Sequence, residues 1–95
     1  MIKVVAQFYI KNQEIEKALT LVKELVFQTK KETGCVNINY ELFQKQKSPV
    51  YIEVSEKWEN QTVLDAHTQT HHFTDLVPKL QALTDRDRRT ISWCR

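Results

Sequence analysis

Three segments of the chain alternate between apolar and polar residues with the period of a β-strand. In the first of them, residues 2–10, the apolar face consists of Ile2, Val4, Ala6, Phe8 and Ile10. Residues 36–42 and 50–58 repeat the pattern, so β-branched and aromatic residues at a period of two predict three strands. Strict alternation places Glu56 on an apolar face, and we expect a β-bulge near Ser55 to relieve this conflict.

Two other segments carry apolar residues at helical spacing. The stripe of the first segment consists of Ile15, Ala18, Leu19, Val22, Leu25 and Val26. It predicts a helix with Asn12 as its N-cap and Gly34 as its C′ residue. The stripe of the second segment consists of Val63, Leu64, His67, Phe73, Leu76, Val77, Leu80 and Leu83. We expect Asn60 to cap it, and a break at residues 68–71, where threonines lower helix propensity.

The remaining segments complete the order β-α-β-β-α-β. Lys45–Pro49 is polar and ends in Ser-Pro, which predicts a hairpin turn. Asp85–Arg89 is interpreted as a polar turn, and Thr90–Arg95 as the last strand. This order is the ferredoxin-like α+β arrangement, an antiparallel sheet with its helices on one face. We expect a single domain over residues 1–95.

The sheet face without helices is half apolar. Its predicted residues are Val5, Gln7, Tyr9, Asn37, Asn39, Glu41, Phe43, Tyr51 and Glu53. An apolar patch of a few hundred Å² often marks an interface, and a domain of this size buries little surface alone. We therefore predict a homodimer through this open sheet face, in a dimeric α/β-barrel.

Composition excludes several classes of protein. With 41% hydrophobic residues and a single glycine, the chain is neither disordered nor a carrier of a glycine-rich phosphate loop. Its net charge of +2 comes from residues 85–95, where Arg86, Arg88 and Arg89 are the only basic cluster, so we expect no nucleic-acid partner. The apolar runs are too short to span a membrane, and the first residues do not resemble a signal peptide. We expect a cytoplasmic protein.

Candidate chemistry is concentrated late in the chain. All three histidines, His67, His71 and His72, lie within six positions, downstream of Trp58. His67 and His71 have the i,i+4 spacing of a metal pair, but no third ligand is evident, so we expect no metal site. His71 is expected at the surface, whereas imidazoles of His67 and His72 at a pocket rim could transfer protons at neutral pH.

The two cysteines, Cys35 and Cys94, form neither a disulfide framework nor a Cys-x-x-Cys motif. We interpret Cys35 as a small buried hydrophobic residue.

The ordered combination of several short motifs resembles the antibiotic biosynthesis monooxygenase superfamily, and most closely its small YgiN-like quinol monooxygenase branch. The motifs are Gln7 on the first strand, Thr33-Gly34-Cys35, Glu56-x-Trp58-Glu59 and Leu64-Asp65-Ala66-His67-x4-His72-Phe73. Val77 stands where related heme-degrading enzymes have a histidine, which argues against heme breakdown. Trp58 argues against the family's isomerase of a phosphorylated signalling sugar, which lacks this tryptophan.

The resemblance implies a cofactor-independent monooxygenase that oxidises a small phenolic or quinol-type aromatic substrate with O2. On this hypothesis His72 is the base, Trp58 shapes the pocket wall and His67 supports the site. Residues expected to contact the substrate are Gln7, Asn39, Tyr40, Phe73 and Leu76. Two alternatives stay open: a non-catalytic dimeric ligand-binding or stress-related domain, and the sugar-phosphate isomerase.

Overall fold

The protein has the predicted ferredoxin-like α+β fold. A computed structural model describes residues 1–44 and 50–93, with side chains through residue 85. Its elements are β1 (Ile2–Ile10), α1 (Ile15–Thr29), β2 (Cys35–Phe43), β3 (Tyr51–Trp58), α2 (Gln61–His67), α3 (His71–Gln81) and β4 (Thr84–Trp93). The strands form one antiparallel sheet in the order β2-β3-β1-β4. The predicted turn Lys45–Pro49, and Cys94 with Arg95, lie outside the described residues.

The helices cover one face of the sheet and bury two apolar clusters. The larger cluster joins α1 and α3 to the centre of the sheet and includes Phe8, Val22, Ile52 and Leu80. The smaller cluster lies at one end of β1 and β3 and consists of Ile2, Val4, Trp58 and Leu64. Burial of such side chains contributes roughly 1.5–3 kcal/mol each, so these clusters fix the helices against the sheet.

The β-bulge lies in β2, and the prediction of a bulge near Ser55 was wrong. β1 and β3 pair without interruption through Val5 opposite Ser55. The register shifts instead between Cys35 and Asn37, which leaves Val36 46% exposed. Glu56 therefore keeps the alternation and points toward the helices. An acidic side chain on an apolar face needs partners there.

The two predicted ends of the first helix also differ from the structure. One turn of 3-10 helix, Asn12–Glu14, precedes α1, and no side chain caps its start, so Asn12 is not the N-cap. Polar residues such as asparagine occur both in a 3-10 turn and at the N-cap of an α-helix, so the sequence alone does not distinguish these two structures. α1 ends at Thr29, and Gly34 is not its C′ residue but the positive-φ residue that enters β2.

The second helical region divides as predicted. Asn60 caps α2 by accepting a hydrogen bond from the backbone N–H of Val63 (3.0 Å). Thr70 caps α3 by accepting from the backbone N–H of Phe73 (3.3 Å). A second N-cap within the segment starts a new helix direction, so residues 61–67 and 71–81 pack separately on the sheet.

β4 begins at Thr84, so the predicted turn over Asp85–Arg89 was wrong. Thr84 pairs with Ile10, and residues 86–89 pair with β1 from Tyr9 to Ala6, with one register shift between Tyr9 and Ile10. Their polarity misled the prediction because charged residues are common on edge strands, where they oppose pairing with other chains. Of the helices in residues 1–44 and 50–93, none is long and apolar enough to cross a bilayer.

Candidate functional site

A cavity of about 150 Å³ lies between the sheet and the helices, where the two apolar clusters meet. Its apolar wall consists of Val4, Ala6, Phe8, Leu25, Val54, Leu64, Phe73 and Val77. Exposed side chains of α2, among them Gln61 and Asp65, line it where it approaches the surface. Its inner polar groups are Glu56 and His67. An apolar chamber with a few polar groups is the usual form of a small-molecule site.

His67 is the last residue of α2, and the helix break fixes its orientation. Thr70 donates its hydroxyl hydrogen to the carbonyl of His67 (2.7 Å) while it caps α3. The ring of Phe73 meets the imidazole edge-on, with centroids 5.0 Å apart. The imidazole is therefore buried, with only 3% of its side chain exposed, and its position is determined by both helices.

Glu32 connects the imidazoles of His67 and His72. One of its carboxylate oxygens, Oε2, lies 2.6 Å from His67 Nδ1 and 2.8 Å from His72 Nε2. A carboxylate only accepts hydrogen bonds, so each ring nitrogen donates its hydrogen to Glu32. This arrangement leaves Nε2 of a neutral His67 without a hydrogen, as an acceptor. Charge-assisted hydrogen bonds of this length are among the strongest in proteins, so the three side chains hold each other in place.

A second carboxylate approaches His67 from the sheet. Glu56 Oε1 accepts a hydrogen bond from Trp58 Nε1 (2.8 Å) and lies 3.8 Å from His67 Nε2. The indole of Trp58 packs on the imidazole with ring centroids 4.6 Å apart. The acidic side chain that breaks the apolar alternation of β3 thus finds its partners at this site.

The turn that carries Glu32 is pressed against α2. Gly34 has φ +88°, and a Cβ on it would lie 2.6 Å from side-chain atoms of Val63. Its carbonyl accepts from the backbone N–H of Glu59 (3.0 Å). Glycine alone combines this backbone conformation with so close an approach. The single glycine of the chain therefore brings Glu32 within reach of His67.

The structure brings four of the eight predicted site residues together. Trp58, His67 and His72 form one cluster with Glu32, and Phe73 contacts His67. Only His67 and Phe73 of these line the cavity, whereas Trp58 and His72 lie behind His67. The prediction made His72 the base and His67 its support. In the structure, His67 lines the cavity and His72 does not.

The other four predicted site residues lie outside the cavity wall. Leu76 and Tyr40 pack in or against the larger apolar cluster. Gln7 and Asn39 lie on the opposite face of the sheet. There Gln7 donates to Glu53 (3.3 Å) and Asn39 to Asn37 (3.3 Å). The sheet itself separates these two amides from the imidazoles.

Glu32 and Glu56 are the residues that sequence reasoning missed. Glu56 is marked in the sequence because it is an acidic residue on the apolar face of β3. The prediction explained this violation by a bulge instead of by a polar site. Glu32 lies two positions before the only glycine and 35 positions before His67, and nothing in its local pattern marks it. Glu32 and His67 meet because the turn that contains Gly34 packs on α2.

Cys35 lies close to both carboxylates and is only partly buried. Burial raises the pKa of its thiol, and the charges of Glu56 and Glu32 raise it further, against opposing effects of the Asn37 backbone N–H and Lys30. A raised pKa leaves less of the nucleophilic thiolate at neutral pH. Cys35 is therefore poorly suited to act as a nucleophile.

Comparisons with known proteins identify relatives over most of the chain. The family model described as "Antibiotic biosynthesis monooxygenase" matches residues 1–79. The Bacillus subtilis (strain 168) protein YcnE, whose name proposes a monooxygenase, is 30% identical over 79 residues, or 83% of this chain and 81% of that protein.

Two solved structures extend the likeness to the whole fold. A crystal structure of an antibiotic biosynthesis monooxygenase is 36% identical, with a TM-score of 0.85 over 100% of this chain and 99% of the other. A conserved protein from Methanosarcina mazei Go1 is 29% identical, with a TM-score of 0.83 over 96% of this chain and 89% of the other.

Proposed function

Because the chain belongs to the antibiotic biosynthesis monooxygenase family, we propose that it is a monooxygenase that oxidises a single-ring phenol or quinol with O2. The observation that carries the proposal is the apolar cavity with His67 in its wall. A cavity of about 150 Å³ is the size that accommodates benzene in an engineered protein core. The volume therefore favours one aromatic ring over fused rings.

On this proposal, His67 takes the proton of the substrate hydroxyl. Its Nδ1–H is held by Glu32, so its Nε2 is the acceptor, and Nε2 is on the edge that approaches Glu56 in the cavity wall. A carboxylate that orients an imidazole and stabilises its protonated form is the arrangement of a general base in hydrolases. Here the same arrangement would produce a phenolate within an apolar chamber.

The phenolate is the electron donor of the proposed reaction. With hydroquinone as substrate, one oxygen atom of O2 enters the ring, the other leaves as water, and the product is a hydroxyquinone. The ring supplies all the electrons, so the reaction needs no reducing cofactor. The protein contributes binding, exclusion of water and a base whose charge stabilises the anion.

The cavity wall argues against the isomerase alternative. Its ionisable side chains are Glu56, Asp65 and His67, and no lysine or arginine is among the described lining residues. A phosphorylated sugar carries negative charge that these carboxylates repel, and phosphate sites use arginine, lysine or backbone N–H groups. The cavity is also mainly apolar, which suits an aromatic ring better than a sugar.

The proposal is tested by oxygen uptake with hydroquinone and with a fused-ring naphthohydroquinone, after subtraction of the protein-free rate. We expect turnover of hydroquinone, and a fall in kcat/KM of roughly 10²- to 10⁴-fold in His67→Gln, the range for loss of a general base. His71→Gln is the matched control, because His71 is exposed and outside the cluster. Equal rates in His67→Gln and wild type would remove His67 from the mechanism. Absence of turnover by wild type would favour the ligand-binding alternative.

A further inference from the structure

The side chains Glu32, His67 and His72 form a set of potential metal ligands, hereafter the Glu-His-His cluster. One ligand atom from each, the Glu32 oxygen and the two ring nitrogens, all lie within 4.8 Å of one another. From these three groups we infer that the protein binds one divalent transition-metal ion of the zinc class. The pair considered from sequence was His67 and His71; the structure replaces His71 with His72 and supplies the missing third ligand.

The donor atoms select the class of ion. Two imidazole nitrogens and one carboxylate oxygen suit zinc and its first-row neighbours, whereas magnesium and calcium prefer oxygen ligands throughout. Three protein ligands leave a coordination position for water. His72 and Glu32 keep 18% and 14% of their side chains exposed, so an ion and its water can enter from that side.

Binding requires only a small rearrangement of the cluster. Zinc–ligand bonds of about 2.0–2.1 Å place ligand atoms roughly 3.4 Å apart in a tetrahedron. The Glu32 oxygen is now 2.6 and 2.8 Å from the two nitrogens, so the side chains must separate by somewhat more than half an ångström. The ion takes the place of the two ring hydrogens that the carboxylate now accepts.

The surroundings of His67 fit a ligand. A metal on Nδ1 moves the ring hydrogen to Nε2, which faces Glu56 Oε1 at 3.8 Å. Metal-binding histidines commonly donate their other ring N–H to a carboxylate, which orients the ring. Among the described side chains, no lysine or arginine forms an ion pair with Glu32, so a dication would meet no bound cation there.

This inference does not depend on the proposed oxidation. The ion would displace the ring hydrogens of His67 and His72 that Glu32 accepts, and the proposed base, His67, needs its Nδ1–H. The metal-bound form and the oxidising form are therefore different states of the same residues. Its test involves neither substrate nor turnover. Failure to bind zinc would leave the oxidation proposal standing, and failure to consume oxygen would leave the metal site standing.

The test is calorimetric titration of untagged, chelator-treated, reduced protein with Zn²⁺. We expect saturable one-to-one binding, weakened by at least about tenfold in Glu32→Gln and in His72→Ala. His71→Ala and Cys35→Ala should bind as wild type does, because neither supplies a ligand. Mg²⁺ should give no binding. Absence of saturable zinc binding, or equal affinity in Glu32→Gln, would overturn the inference.

A second measurement on the wild-type chain covers the case in which a variant does not fold. Zinc added to wild-type protein should shift the ring resonances of His67 and His72 in a nitrogen-correlated NMR spectrum and leave those of His71 unchanged. Shifts confined to His71, or spread equally over the three rings, would contradict a site at the Glu-His-His cluster.

Discussion

At the scale of single residues, the site is a chain of polar contacts that begins at the buried Trp58 and ends at the partly exposed His72. Glu56 accepts from the indole and faces His67, and Glu32 joins His67 to His72. Loss of a hydrogen-bond partner from a buried polar group costs about 1–3 kcal/mol, so these contacts stabilise the fold where they are buried. The same contacts that stabilise the fold therefore orient the imidazole at the cavity.

Substitution of Trp58 by phenylalanine tests this dual role. The change removes the hydrogen bond to Glu56 and some packing on His67, and we expect it to lower the free energy of unfolding by about 2 kcal/mol. Combined with Glu56→Leu, which removes the acceptor oxygens, in a double-mutant cycle followed by urea denaturation, the two changes should show a coupling of about 1 kcal/mol. Strict additivity would mean that indole and carboxylate do not interact.

The thiol of Cys35 reports the two carboxylates directly. Because burial, Glu56 and Glu32 raise its pKa, its thiolate fraction at neutral pH is below that of an ordinary thiol. Alkylation by iodoacetamide, followed at the Cys35 peptide by mass spectrometry, should be slow at neutral pH and accelerate as pH rises past the usual thiol range. Glu56→Gln should increase the neutral rate. An unchanged rate in that variant would contradict the charge effect.

At the scale of elements, the periods of two and 3.6 residues located nearly all strands and helices. These periods are informative because most strands and helices bury one face, as the alternating burial of residues along β1 demonstrates. Patterns failed where a backbone contact decides the structure: the 3-10 turn at Asn12–Glu14, the bulge at Val36, and the early start of β4, which pairing with β1 imposes.

The candidate site was half predictable for the same reason. Trp58, His67, His72 and Phe73 lie in one region of the sequence and were identified from residue type. Glu32 reaches them only because the turn at Gly34 packs against α2, which is a tertiary contact without a local signature. Gln7 and Asn39 were predicted as substrate contacts, but they lie on the sheet face without helices. A resemblance to a family does not define which face of the sheet a strand residue occupies.

Gly34→Ala tests the importance of that turn. A Cβ there meets Val63 at 2.6 Å, and φ +88° strains any L side chain, so we expect a loss of about 2 kcal/mol or more in stability. Adding Val63→Ala removes two of the three colliding atoms, Cγ1 and Cγ2, but leaves Cβ at 2.6 Å and the backbone strain. Thermal unfolding should therefore find the double variant less destabilised than the sum of the single changes. Wild-type stability in Gly34→Ala would show that the turn tolerates a side chain.

At the scale of the whole molecule, the sheet separates the face that carries the candidate site from a face suited to assembly. On the face without helices, Tyr51 stacks with Phe43 (centroids 4.8 Å apart) and packs against Tyr9 (5.2 Å). These partly buried rings form an aromatic patch surrounded by polar residues such as Gln7 and Glu53. Such a patch often marks a protein interface, and the predicted homodimer would use it.

Sedimentation equilibrium tests the homodimer. We expect a mass of twice 11.3 kDa for wild type. Tyr51→Glu should convert it to a monomer by placing a charge within the patch. Phe27→Glu is the matched control, because Phe27 is an exposed aromatic residue of α1 on the other side of the molecule. A wild-type mass of one chain at all concentrations would contradict the prediction.

The most direct test of the account is to follow the oxygen atoms. Wild-type protein turning over hydroquinone under isotopically labelled dioxygen should give a hydroxyquinone with one labelled atom, the other label in water, and no hydrogen peroxide. His67→Gln should form this product far more slowly, and His71→Gln at the wild-type rate. Unlabelled quinone with hydrogen peroxide, or labelled product formed equally by His67→Gln, would contradict a monooxygenase centred on His67.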